Sequence, residues 1–367
     1  MRRLTVVQLL PALASGGVER STLEIAEALV NAGHRSIVIS AGGRLVEPLQ
    51  ATGSEYVALD IGRKSLATLR HVVSLRRLFA QLQPDIVHAR SRLPAWLAFL
   101  ALKRGRGRRA HFVTTVHGLN SPGFYSGIMA RGERVICVSP TVRAHVLMHW
   151  PGTDPDKLAV IEPGIDAAAF SSESTTTSAR QQASAAQSRL PGEKLLLMPG
   201  RGTRLKGHAA AIALLAGLRA AGVNARLWLL GTREPGREAY IAELDGMAQA
   251  LGVAEFVLIS PPRGDVVEAY RQADLVLQLS AKPEAFGRTV VEALSIGKPV
   301  VGWSHGGVGE LLSRYFPEGR VELGDQQALL ATTLQLLVDV RQPARIYPQT
   351  LAAMQAQTLK VYESLTD

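Results

Sequence analysis

Along the whole chain, short apolar runs rich in β-branched residues alternate with longer stretches in which apolar positions recur every three or four residues. "LTVVQLL" is followed by Gly16-Gly17, then by "ERSTLEIAEALVNAG", then by "RSIVIS". The first and third runs predict strands, and the middle one predicts a helix closed by Gly33, so the three make a βαβ unit. The alternation continues through "PDIVHAR", "LPAWLAFLALKRG", "HFVTTVHG", "RVICVS" and "LAVIEPG". Strands that are apolar on both faces belong to parallel sheets covered by helices on each side. At residues 171–190, "SSESTTTSARQQASAAQSRL", the texture turns to small and polar residues, as in a linker. A second series then runs through "KLLLMPG", "ARLWLLG", "EFVLIS", "LVLQLS" and "PVVGW".

The pattern predicts an α/β protein of two Rossmann-like, doubly wound domains, with residues 1–170 as the first, 171–190 as a linker and 191–367 as the second. The final helical stretch, "QTLAAMQAQTLKVYESL", can pack back on the first domain. A length of 367 residues agrees with two cores rather than one. Ligands of such sheets bind outside the C-terminal ends of the strands, so two domains facing across a cleft place the expected site there. The opening "MRRLTVVQLLPALASGG" has the charge and apolar order of a secretion signal, but the turn and helix that follow favour a first strand.

Charge changes this picture only in the first half. Residues 1–170 hold 21 basic and 12 acidic side chains, the remainder 20 and 19, so nearly all of the +10 excess lies before the linker. It includes the run from Lys103 to Arg109, which is either a solvated loop or a patch for an anionic membrane surface or glycolipid. Nucleic acid is disfavoured as a partner, because no aromatic residues interleave with the cations to stack on bases. The one cysteine, Cys137, lies in an apolar run, rules out an internal disulfide and points to a buried residue in a reducing compartment. No apolar stretch approaches the roughly 20 residues that span a bilayer.

The candidate chemistry gathers at strand ends. Gly16-Gly17 sits at a strand-to-helix turn where backbone can approach a phosphate, or simply turn tightly; the G-x-G-x-x-G fingerprint is absent. In "MPGRGTRLKGH", Arg201 and Lys206 follow a strand on a Gly-rich loop, a fork and a point charge suited to a diphosphate. "KPEAFGRTVVEALSIG" sets Glu284 before a helix that opens at Phe286-Gly287 and carries Glu292 inside it. Each carboxylate can accept two hydrogen bonds, which suits the vicinal hydroxyls of a ribose or a hexose. Glu310, inside the helix after Gly306-Gly307, either stabilises that helix or supports the site. His117 ends the strand "HFVTTVHG", and His88 is similarly placed in "DIVHAR". Neither the histidines nor the acids show a metal-ligand spacing, so no metal or cofactor is expected.

Together "SGGVERS", "VHG", "VIEPGID", "GRGTRLKG", "KPEAFGRTVVEAL" and "GGVGE" make the chain resemble, over nearly its whole length, the retaining GT-B glycosyltransferases of family 4. The resemblance implies a nucleotide-sugar donor, with UDP favoured, held by the second domain without a metal, and transfer of a hexosyl or N-acetylhexosaminyl group. It implies that Arg201 and Lys206 bind the diphosphate, Glu292 the ribose, Glu284 the sugar hydroxyls, and the amides around Phe286 and Gly287 the sugar or phosphate. His117 would face the sugar, and Gly16 and Gly17 the phosphates or the acceptor.

Arg288 departs from the smaller or apolar residue of many relatives, and is either a further phosphate cation or the partner of a neighbouring acid. With "SHGGVGE" it resembles the members that build lipopolysaccharide or other surface glycans. The basic first domain then fits a glycan or glycolipid acceptor, phosphorylated or acidic, met from the cytoplasm at the inner face of a membrane. Two other readings keep the architecture or the charge but change the function: a sugar-nucleotide epimerase, and a non-catalytic protein that binds nucleotides or polyanions.

Overall fold

The computed structural model describes residues 2–14, 16–103, 110–166, 168–170, 192–338, 343, 345 and 349–366. The chain forms two compact units, Met1–Gly164 with Leu351–Asp367, and Ile165–Thr350.

In the first unit, strands β1 (Thr5–Leu9), β2 (Arg35–Ser40), β3 (Glu55–Ala58), β4 (Ile86–Ala89), β5 (His111–Val116), β6 (Arg134–Cys137) and β7 (Leu158–Val160) form one sheet. Their order is β3-β2-β1-β4-β5-β6-β7, and every pair is parallel. Between them run α1 (Gly17–Asn31), α2 (Val46–Ala51), α3 (His71–Leu82), α4 (Arg92–Lys103), α5 (Phe124–Gly127) and α6 (Pro140–His149). The sequence places the strands at the centre of the unit because both of their faces are apolar: Val6, Val7, Ile37, Val38, Ile86 and Val87 are fully buried.

The second unit repeats the plan with β8 (Lys194–Pro199), β9 (Ala225–Leu230), β10 (Val257–Ser260), β11 (Leu275–Gln278), β12 (Val300–Trp303) and β13 (Arg320–Val321). The order is β10-β9-β8-β11-β12-β13, again all parallel. Its helices are α7 (His208–Ala220), α8 (Glu238–Ala250), α9 (Val266–Gln272), α10 (Arg288–Ser295), α11 (Gly306–Tyr315) and α12 (Gln326–Val338). In each sheet the order reverses once, between β1 and β4 and between β8 and β11. The crevice beyond such a reversal is where a doubly wound sheet receives its ligand.

The chain passes from one unit to the other at Gly164, six residues before the boundary expected at residue 170. Phe170 is fully buried against Tyr270, with ring centroids 6.4 Å apart, which ties this segment to the second unit. The expected linker at 171–190 lies outside the described residues. The last helix, α13 (Leu351–Glu363), belongs to the first unit. Met354 and Tyr362 enter the core formed by Leu4, Val6, Ile25, Leu29 and Ile86, so apolar burial, not chain order, decides where this helix sits. Among the described residues, no helix is long and apolar enough to cross a membrane.

Candidate functional site

In the second unit the loops after β8 and β11 stand side by side at the reversal of the sheet. Gly207 makes their close approach possible: its φ is +83°, and a Cβ there would meet the carbonyl oxygen of Leu279 at 1.9 Å. Lys206 is thereby set beside Glu284, and its Nζ donates to Glu284 Oε1 at 2.5 Å. The Ser280 hydroxyl donates to the same oxygen, also at 2.5 Å. Burial pushes the Glu284 carboxyl up, but the Lys206 charge and the hydrogen bonds from Lys206, Ser280 and Gln278 outweigh it and hold the group below the usual carboxylate range. Arg201, on the same loop, is exposed.

A second carboxylate follows within the helix. Gly287 caps α10 at φ +110°, in contact range of Val308, and Phe286 before it is buried. Glu292 lies one turn into α10, only 7% exposed; the Tyr270 hydroxyl donates to its Oε2 at 2.8 Å and Arg288 Nε lies 3.3 Å from its Oε1. Of the two roles open to Arg288, pairing with an acid is thus present in the structure. The turn at Gly306-Gly307 interlocks with this loop: the Gly307 amide donates to the Glu284 carbonyl at 2.8 Å, and a Cβ at Gly307 would meet the Phe286 carbonyl oxygen at 2.3 Å.

At the reversal in the first unit, β1, β4 and β5 end around a pocket of about 290 Å³. Gly16 caps α1 at φ +143°, and Glu19 folds back so that its carboxylate lies 2.7 Å from where a Cβ on Gly16 would stand. The helix start expected to meet an external anion therefore has an acid of its own beside it. His117 lines the pocket next to Arg90, with Nε2 at 3.4 Å from Arg90 Nη1. Desolvation and then the Arg90 charge hold the imidazole well below its ordinary pKa, so His117 is neutral. A guanidinium only donates, so Nε2 accepts and the ring proton sits on Nδ1.

Two domain families account for most of the chain. Glycosyltransferase Family 4 matches residues 15–169, and Glycosyl transferases group 1 matches residues 180–350. The chain belongs to the glycosyltransferases of family 4 and group 1. A crystal structure of a glycosyltransferase from Rickettsia africae ESF-5 is 26% identical with a TM-score of 0.86, each chain covered completely. HepE of Anabaena, solved in complex with UDP and glucose, is 22% identical with a TM-score of 0.83 over 99% of this chain and 100% of its own, a likeness of fold. The D-inositol 3-phosphate glycosyltransferase of Mycobacterium sp. (strain KMS) is 30% identical over 239 residues, 61% of this chain and 52% of its own. The match thus spans about half the length of that relative.

Within the group 1 unit, the structure brings Lys206 and Glu284 together and, one turn into α10, Glu292 and Arg288. The two carboxylates hold different cations. In the family 4 unit, His117 lines the pocket, while His88 is fully buried behind it, bonded to the Tyr362 hydroxyl and Thr115 Oγ1, each at 2.7 Å. Of the basic run only Lys103 is described; Arg104 to Arg109 lie outside the described residues. Sequence reasoning missed Arg90, Ser280 and Tyr270. Arg90 follows His88 in the same strand-end motif, which was the available signal; the other two are ordinary residues until the fold aims them. Among the described residues, no group of three His, Cys, Asp or Glu side chains is placed to hold a metal ion.

Proposed function

We propose that the chain transfers a sugar from a nucleotide-sugar donor, a UDP-sugar by preference, to a glycan or glycolipid acceptor. In this reading it works in the cytoplasm at the inner face of a membrane, building lipopolysaccharide or another surface polysaccharide. The observation that carries it is the Lys206–Glu284 pair at the β8/β11 reversal, 2.5 Å apart. A sugar diphosphate offers each member a better-matched partner: hydroxyls for Glu284, phosphate oxygens for Lys206. Arg201 and the first-turn amides of α10 add positive potential where the leaving diphosphate gathers charge. Glu292 takes the ribose hydroxyls on its remaining lone pairs.

Retention of configuration and metal independence belong to the same proposal, with the chain's own cations meeting the charge that a metal would otherwise meet. Neutral His117 and the Gly16-Gly17 turn are the first unit's contribution. The fold is shared with HepE, whose complexes with UDP and glucose support a donor of this kind. The relatives named for inositol phosphate support a polar, hydroxyl-bearing acceptor.

Thermal unfolding with UDP-, GDP- and ADP-glucose tests the donor, because a ligand of the native state raises its apparent stability. UDP-glucose should raise the midpoint most, and the protein should release UDP from it in the presence of EDTA. If no nucleotide sugar stabilises the protein and no nucleotide diphosphate is released, the proposal fails. An epimerised donor in place of free nucleotide would establish the epimerase instead. Neutralising Arg104, Arg106, Arg108 and Arg109 should lower binding to anionic vesicles and leave donor hydrolysis intact.

A further inference from the structure

Tyr362 near the end of the chain and His88 on β4 meet in the core of the first unit, 274 residues apart in sequence and both fully buried. The His88 ring bridges two hydroxyl groups: Nδ1 lies 2.7 Å from Tyr362 Oη, and Nε2 lies 2.7 Å from Thr115 Oγ1 on β5. Burial, and next the Arg90 charge, hold His88 well below its ordinary pKa, so the ring is neutral and carries a single N–H. One of its two hydrogen bonds is therefore donated and the other accepted. Two arrangements fit these distances, and they differ in which hydroxyl proton is left over. A buried donor without an acceptor is costly, so the place of that proton decides between them.

In the first arrangement Thr115 donates to Nε2 and Nδ1–H donates to Tyr362, which leaves the phenol proton over. Among the described residues, His88 is the partner of the Tyr362 hydroxyl, and no second acceptor receives it. The Arg90 guanidinium lies against the same hydroxyl; Glu24 balances part of its charge, yet a guanidinium only donates. Burial pushes Tyr362 up to about 12, so the phenol keeps its proton. In the second arrangement Tyr362 turns that proton away from Arg90 and donates it to Nδ1. Nε2–H then donates to Thr115, and the proton left over is that of the Thr115 hydroxyl. Thr115 lines the pocket beyond β1, β4 and β5 beside His117, where water or a ligand can accept.

We infer that Tyr362 and His88 are positioning residues that turn the Thr115 hydroxyl proton into this pocket, so that Thr115 meets an occupant as a hydrogen-bond donor, next to His117 Nδ1–H. The matching group is an oxygen that accepts, and for that oxygen to be a sugar's this rests on the proposed transfer; the direction of the relay does not. The last helix thereby sets the polarity of a pocket that it does not line.

Nitrogen–proton correlation of the imidazole rings in the 15N-labelled intact protein shows which ring nitrogen carries the proton, with His88→Gln and His117→Gln assigning the signals. Wild-type His88 should be protonated on Nε2 and His117 on Nδ1. Thr115→Val should leave His88 on Nε2, whereas Tyr362→Phe, which removes only the hydroxyl, should lose the single tautomer. Release of UDP from UDP-glucose should slow about threefold to tenfold in Thr115→Val and in Tyr362→Phe, the worth of one neutral hydrogen bond. Thr115→Ser should restore the rate, and the double variant should be no slower than Thr115→Val, because the two act through one hydroxyl. His88 protonated on Nδ1 in the wild type, or unaffected by Tyr362→Phe, overturns the relay; if Tyr362→Phe does not fold, the wild-type tautomer decides it. An unchanged rate in Thr115→Val overturns Thr115 as a contact of the occupant. The expected tautomers in a protein that releases no UDP would keep the relay and reject the transferase reading.

Discussion

The two reversal points have the same topology and opposite electrostatics. Beyond β8 and β11, Lys206 and Glu284 neutralise each other at 2.5 Å, and Arg288 pairs with Glu292. Beyond β1 and β4, Arg90 is buried among Gln8, Ser21 and a neutral His117, with the Glu24 charge acting on it from nearby but no ion pair formed between them. Sheet order therefore fixes where a ligand meets each unit but says nothing of its charge. The second unit's reversal carries two cation–carboxylate pairs, whereas the first unit's carries a buried guanidinium beside a neutral imidazole.

The largest effect should come from opening the exchanged pair. Lys206→Ala removes the ammonium that the proposed function sets against the leaving diphosphate, and loss of one such group lowers kcat by about a hundredfold to a thousandfold. The same change removes the main influence that keeps the Glu284 carboxyl low, so its titration should move upward. A variant with unimpaired transfer would show that the pair is structural only.

Acid should then strain the two units through their histidines. His208 is fully buried between Tyr240 and Thr232, and burial, with the Lys206 charge, lowers it to about 4. His88 and His117 are held well below their ordinary value by burial and by Arg90. The unfolded chain binds protons at these sites from about pH 6.5 downward while the folded chain does not, so stability falls as pH drops through that window. His208 alone accounts for a loss on the order of 3 kcal/mol by pH 4. Glu284, with its lowered pKa, stabilises the fold above the usual carboxylate range and loses that contribution only on further acidification. Urea unfolding at pH 7 and pH 5 should show the loss, and His208→Gln should flatten the slope for the second unit only. Equal slopes in wild type and variant would contradict the neutral burial of His208.

The architecture was legible in the sequence because buried parallel strands leave continuous apolar runs, and every quoted strand run became part of a sheet. The two pairs were legible only in part. Lys206 and Glu284 stood out by position after strand ends and Glu292 by its place inside the following helix, but that Lys206 meets Glu284 depends on Gly207 letting one loop touch another, and no spacing encodes that contact. The return of the last helix to the first domain was anticipated, and Met354 and Tyr362 are the anchors that fix it; the passage between units at Gly164 was not, because Phe170 finds its partner Tyr270 far away in sequence. Arg90 was hidden because an arginine after a strand is usually solvated, and only burial distinguishes it.

A smaller effect is expected at the second carboxylate. Glu292→Ala removes an acceptor that Tyr270 and Arg288 already orient, and a hydrogen bond to a charged group contributes about 1.5–3 kcal/mol, so the donor KM should rise roughly tenfold to a hundredfold. Tyr270→Phe, which frees one carboxylate oxygen without removing it, should raise it by less than tenfold. Donor kinetics on both variants measure this; an unchanged KM in Glu292→Ala would remove the ribose role.

The smallest effect separates the two roles of Arg288. Arg288 and Glu292 stand four residues apart on one helix face, Nε 3.3 Å from Oε1, with Glu292 buried. If the guanidinium acts by orienting Glu292, Arg288→Ala should raise the donor KM about twofold to fivefold, and that increment should vanish when Glu292 is already alanine. Two groups working through one another couple in this way, whereas independent contacts add. A full, additive loss in the double variant would instead make Arg288 a direct phosphate ligand. It would also sharpen the contrast between the two carboxylates of the second unit, since only Glu284 would then hold its cation as a pair.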